Sequence, residues 1–125
     1  MQSCVWNFAV RSSERSGMAW KKNSPEAIRR FDAVAGTPGA ERKIMFGCPV
    51  YELHGERYAM LHENRVVLRL SDEHAAQLIA KGGRMWEPMK GRTRKDRIVV
   101  PEAIAGTVRS LRVWVQRAVE YAQSG

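Results

Sequence analysis

The chain has 125 residues, the usual size of one domain, so a second independent core has little room. Hydrophobic residues make up 44% of it, which is enough for a packed core, and 21 Lys and Arg against 13 Asp and Glu leave a net charge of +8. That surplus suits acidic partners, whether nucleic acid, an acidic protein face or anionic lipid. No apolar run approaches the roughly 20 residues of a spanning helix, so no membrane association is expected. Two lone cysteines, Cys4 and Cys48, make no disulfide framework, and no basic stretch precedes the short apolar patch at the start. The chain therefore reads as cytoplasmic.

Residues 1–23 show no sustained period and read as a flexible extension, with Met18 a plausible start. A single domain is expected over 24–125. It opens with a helix signal: Ser24 as cap, Pro25 at the first helical position and Glu26 in the first turn. Ile28, Phe31, Val34 and Ala35 follow at helical spacing until Gly36 and Pro38 stop it. The period then changes. Residues 43–53, 56–62 and 65–70 are rich in Val, Ile, Tyr and Phe, with His54-Gly55 and Glu63-Asn64 as tight turns, and predict a three-strand antiparallel meander.

Ser71 caps a second helix over 72–81, facing Ala75, Leu78 and Ile79 inward, and Gly82-Gly83 ends it. Two short strands follow at 84–89 and 97–100, joined by a basic loop, and Pro101 bars continuation of the second. A last helix is predicted over 107–123, with Val108, Leu111, Val115, Ala118 and Ala122 in one stripe flanked by Trp114 and Tyr121. The order α-β-β-β-α-β-β-α implies a two-layer α+β domain, an antiparallel sheet with helices packed on one face.

Several runs in this order carry a family likeness. They are Lys43-Ile44-Met45-Phe46-Gly47-Cys48-Pro49, Val67-Leu68-Arg69-Leu70-Ser71, Gly83 with Trp86-Glu87-Pro88-Met89-Lys90-Gly91-Arg92, and Val99-Val100-Pro101-Glu102 leading to Trp114. Over residues 24–123 the chain resembles the N-terminal domain of the TfoX/Sxy family, bacterial proteins linked to regulation of DNA-uptake competence. The resemblance implies a fold like that of small secretion chaperones, and a regulatory role exercised through partners without catalysis. Thr93-Arg94-Lys95-Asp96-Arg97 departs from the family's Pro-Met-Lys-Glu-Tyr run.

Constellations for chemistry are lacking in the sequence. Cys48, His54, His62 and His74 show no paired ligand spacing, so no metal site is expected. With a two-residue turn at His54-Gly55, residue 48 faces residue 61, which puts Cys48 and His62 on opposite sides of the hairpin. Cys48 has no base beside it in sequence and reads as a small buried apolar residue. No phosphate-binding glycine loop, nucleophile elbow or dinucleotide fingerprint occurs, so neither a cofactor nor a catalytic residue is assigned.

Two surfaces stand out instead. The basic loop 90–97 carries Lys90, Arg92, Arg94, Lys95 and Arg97 around Asp96, a density suited to phosphates. Counting alternation through both turns places Ile44, Phe46, Cys48, Val50, Ala59, Leu61, Val66, Leu68 and Leu70 on the core face. The opposite face then gathers Met45, Tyr51, Leu53, Tyr58, Met60, Val67 and Arg69, of which Met45, Tyr51, Tyr58, Met60, Val67 and Arg69 form a candidate interaction face. The sequence thus predicts a non-enzymatic module acting through a protein partner or as a homodimer. A nucleic-acid-binding module using the loop 90–97 and the Tyr51, Tyr58 and Arg69 face is the second reading. The segment with Trp6, Phe8 and Trp20 is a further candidate to cover that sheet face.

Overall fold

A computed structural model describes residues 22–124, and the expectation for residues 1–21 lies outside the described residues. Helix α1 (Pro25–Ala35) begins where Ser24 Oγ accepts the amide of Ala27, and it buries Phe31, Val34 and Ala35. Asn23, assigned by sequence to the extension, is fastened to the fold. Its side chain donates to Leu61 O (3.0 Å) and accepts from Asn64 N (2.7 Å).

Four strands follow: β1 (Glu41–Met45), β2 (Cys48–Leu53), β3 (Glu56–His62) and β4 (Arg65–Arg69). The predicted single strand over 43–53 is therefore two. Phe46-Gly47 turns the chain with φ of 52° and 80°, matching His54-Gly55 (54° and 81°) and Glu63-Asn64 (50° and 66°). Two successive positive φ values give the hairpin turn whose twist agrees with that of the strands it joins. The sequence reading recognised two of these three turns and passed over the one led by phenylalanine.

Helix α2 (Asp72–Ala80) starts on Ser71, whose hydroxyl accepts from His74 N, and ends at glycine as expected. Gly82 takes φ 110°, its amide bonds Ile79 O, and Gly83 N bonds Leu78 O. Strands β5 (Arg84–Met89) and β6 (Arg92–Val99) form a hairpin, so most of the expected basic loop is strand. A four-residue turn of helix, α3 (Glu102–Ala105), precedes α4 (Val108–Ser124).

The six strands form one antiparallel sheet in the order β1-β2-β3-β4-β6-β5. The α+β class and the single covering layer of helices agree with the sequence reading. Residues from all four helices enter one core with Tyr51, Leu53, Tyr58, Leu61, Leu68 and Ile98. Leu111, Trp114, Val115 and Ala118 of α4 supply its centre, whereas Val108, placed in that stripe by sequence, is 39% exposed in the first turn.

Candidate interaction surfaces

The register of β2 against β3 decides which side chains the outer sheet face presents. Next to the His54-Gly55 turn, Leu53 pairs Glu56 and Glu52 pairs Arg57, but Tyr51 pairs Ala59 and Val50 pairs Met60. Tyr58 is the extra residue of a β-bulge. A one-residue insertion shifts all later pairing and carries side chains to the other face. Cys48 and Val50 consequently share the outer face with Met60, Val67 and Val99, with Met45 and Trp86 packed against them. Tyr51, Leu53 and Tyr58 point under the helices. The sequence count, made without the bulge, had Cys48 and Val50 on the core face and Tyr51, Leu53 and Tyr58 on the outer one, whereas it placed Met45, Met60 and Val67 as observed.

The candidate interaction face divides accordingly. Met45, Met60 and Val67 lie on the outer side, although Met60 and Val67 are only 9% and 2% exposed. Tyr58 is 1% exposed, its hydroxyl donates to Ala35 O (2.6 Å), and burial pushes its pKa up to about 12. Tyr51 donates to Asp32 Oδ1 (2.8 Å) with its ring edge-on to Phe31 at 5.5 Å. Arg69 is also committed: its guanidinium lies 4.6 Å from the centre of the Tyr121 ring and pairs with Asp96 (3.4 Å) and Glu56 (3.5 Å). Bases cannot stack on these tyrosines without opening the core.

Ile44 and Phe46, read from sequence as core, are instead 59% and 74% exposed at the β1–β2 hairpin. The missed turn explains Phe46, which caps a hairpin instead of continuing a strand, whereas Ile44 stands in the edge strand β1. Phenylalanine is an unusual residue for a positive φ, and the Gly47 that follows was the available signal.

The bulge also reverses the expectation for Cys48 and His62. Cys48 stands two residues from Val50, and His62 two from Met60, on paired strands, so both belong to the outer face. Trp86 Nε1 donates to His62 Nδ1 (3.3 Å), the rings meeting edge-on at 5.4 Å. Burial raises the Cys48 thiol, against a lowering hydrogen bond from Asn23, and burial lowers the His62 imidazole. Both shifts favour a neutral thiol near a neutral imidazole, the reverse of what an activated cysteine nucleophile needs. Among the described residues no three His, Cys, Asp or Glu side chains gather where they could hold a metal ion.

In the basic segment, Lys90 and Gly91 form the turn, with Gly91 at φ 83°, and strand β6 takes the rest. Lys90, Arg92 and Lys95 are exposed, and the backbone of Arg94 is paired opposite Trp86. Arg97 is half-buried, donating to Arg57 O (3.2 Å), and Asp96 is taken by Arg69. Arg97 and Asp96 are therefore drawn away from the exposed Lys90, Arg92 and Lys95. A second basic surface escaped the sequence reading. Arg109, Arg112 and Arg117 lie on the flank of α4 away from the core, with Val108 and Val113 among them. Their spacing off the buried stripe was the signal available for it.

Among the described residues no helix is long and apolar enough to cross a membrane. No curated protein matches the chain, and no solved structure matches it. The likeness carried by residues 43–49, 67–71, 83–92 and 99–114 does extend to a whole family model, which covers residues 32–122 and is described as the TfoX N-terminal domain, and the chain belongs to that family.

Proposed function

We propose that this chain is a non-enzymatic regulatory module that works by binding a protein, either a partner or a second copy of itself. Membership of the TfoX N-terminal domain family, a non-catalytic regulatory family, is the observation that carries this reading. The contact surface is the β1–β2 hairpin, where Ile44 and Phe46 are exposed. Large exposed apolar side chains are frequent anchors of protein interfaces. Cytoplasmic location and a connection with competence regulation belong to the same proposal.

Sedimentation of the wild type and of an Ile44→Ser/Phe46→Ser double variant tests it. The wild type is expected to self-associate, or to bind its partner, and the variant to remain monomeric with its fold intact. Identical behaviour of the two proteins would remove this hairpin as the contact.

The nucleic-acid reading keeps one support, the exposed Lys90, Arg92 and Lys95. Three phosphate contacts imply a log–log salt slope of about −2.7 on duplex DNA. Reversal of Arg92 and Lys95 to Glu is expected to weaken such binding to all sequences alike, because phosphates carry no base information. A titration flat at low and high salt would discard it.

A further inference from the structure

The outer flank of α4 combines two properties that do not serve the fold. Val113 is 49% exposed and Val108 39% exposed, although the helix buries Leu111, Trp114, Val115, Ala118, Val119 and Ala122. Around the two valines stand Arg109, Arg112 and Arg117, with Glu120 the acid at the far end. Arg117 is steered over the Trp114 ring, 4.5 Å from its centre, which fixes one positive charge along the groove edge. Among the described residues no carboxylate pairs with Arg109 or Arg112.

This flank is continuous with a second groove. Arg112 and Gln116 belong to this exposed face of α4 and also line the cleft of about 230 Å³ between α4 and the end of α1. Ala33, Val34 and Gly36 form the α1 side of that cleft. The α4 face offers exposed valines between arginines, and the cleft beside it is more polar.

From this geometry we infer that the α4 flank and the α1–α4 cleft form a docking groove for an acidic amphipathic helix of a partner protein. The inference rests on the reading of the chain as a protein-binding module and names the chemistry of one partner. Charge complementarity selects the occupant. A second copy meeting this surface through a two-fold axis would bring three arginines and one glutamate against the same set, a net repulsion. A phosphate backbone would satisfy the arginines and leave the valines in water, whereas a helix with apolar anchors flanked by Asp or Glu satisfies both. From residue 108 to residue 120 the groove follows about 18 Å of helix, at ~1.5 Å per residue, so some 12–16 partner residues fit along it.

Labelled 16-residue helical peptides supply the probe: one with a leucine face flanked by Glu, one with those leucines changed to Ser, one with the Glu changed to Lys. Fluorescence anisotropy is read on the full chain, on Val113→Asp, on Arg109→Glu/Arg112→Glu, and on Arg92→Glu/Lys95→Glu as an equal charge change elsewhere. Saturable binding of the Leu/Glu peptide alone is expected. Losses of about tenfold or more are expected for the first two variants, as anchor truncation gives, and less than about threefold for the third. Equal loss in both charge-reversed variants, no effect of Val113→Asp, absence of binding, or displacement of the peptide by duplex DNA would each overturn the inference. The melting temperature of each variant is measured alongside; a variant that melts early is replaced by Val113→Ser or Arg112→Gln, with the same outcomes deciding. If these arms fail while the Ile44/Phe46 variant still abolishes association, the protein-binding reading stands and this groove does not.

Discussion

Tyr58 shows how one side chain can be a surface candidate by pattern and a core residue by structure. Its hydroxyl satisfies Ala35 O at the end of α1, a carbonyl that the helix itself cannot bond. Removing only that oxygen leaves a buried acceptor without its donor, so Tyr58→Phe should cost about 1–3 kcal/mol in a denaturant titration. A loss within error of zero would show that Ala35 O finds another donor. His62 makes a second residue-scale prediction. Burial lowers its pKa below the usual 6.5, so the folded state prefers the neutral imidazole. The unfolded chain takes up a proton first as pH falls below about 6.5, and stability declines from there until the folded pKa is passed. The decline should be smaller in His62→Gln, measured by thermal melting between pH 7 and pH 5.

At the scale of elements, glycines serve two distinct purposes here. Gly55 sits at φ 81° with nothing within 4 Å of an added Cβ, so its requirement is conformational. Gly55→Ala should cost about 1 kcal/mol from the left-handed backbone, and Gly55→Asn should recover part of it. Gly83 has ordinary backbone angles, yet a Cβ there would stand 3.0 Å from both Leu78 O and Val99 O and 3.1 Å from Ile98 Cγ2. Its requirement is the close approach of α2 to β6. Gly83→Ala should therefore cost about 1–3 kcal/mol by crowding, with no recovery by Asn. Chemical denaturation of the four variants checks the contrast, and equal behaviour at the two sites would refute it.

The whole molecule depends on α4, which spans β2, β3 and β4 and also meets α1 and α3. Leu111 is 1% exposed at its centre, so Leu111→Ala should cost about 2–5 kcal/mol by leaving a cavity. Val108→Ala, in the same helix at 39% exposure, should stay within about 0.5 kcal/mol. The pair of melting curves tests whether burial, rather than helical position, sets the cost.

The edges of the sheet complete the picture at this scale. Strand β1 presents Glu41, Arg42 and Lys43, and strand β5 carries Pro88 with two register irregularities against β6. Charge on one edge, and proline with bulges on the other, oppose uncontrolled strand addition. Partner binding is therefore expected through side chains of the hairpin tip and the helical flank, not by strand addition at the sheet edges.

What the sequence by itself determined was whatever depends on neighbours a few residues apart. The caps at Ser24 and Ser71, the helix stop at Gly82, two of the three turns within β1–β4, the stripe of α4 and the α+β order were all legible, because each is fixed by local hydrogen bonding or by a short period. The face assignments were not. A single extra residue at Tyr58 exchanged the outer set, Cys48 and Val50, for the inner set, Tyr51 and Leu53. Alternation records that a strand has two faces, but only packing against α1 and α4 decides which face is covered. Nor could composition tell that Arg69 and Arg97 turn inward while Arg109 and Arg112 remain on the surface. Charge is counted along the chain, but pairing needs carboxylates and carbonyls that the fold brings from 13 to 40 positions away.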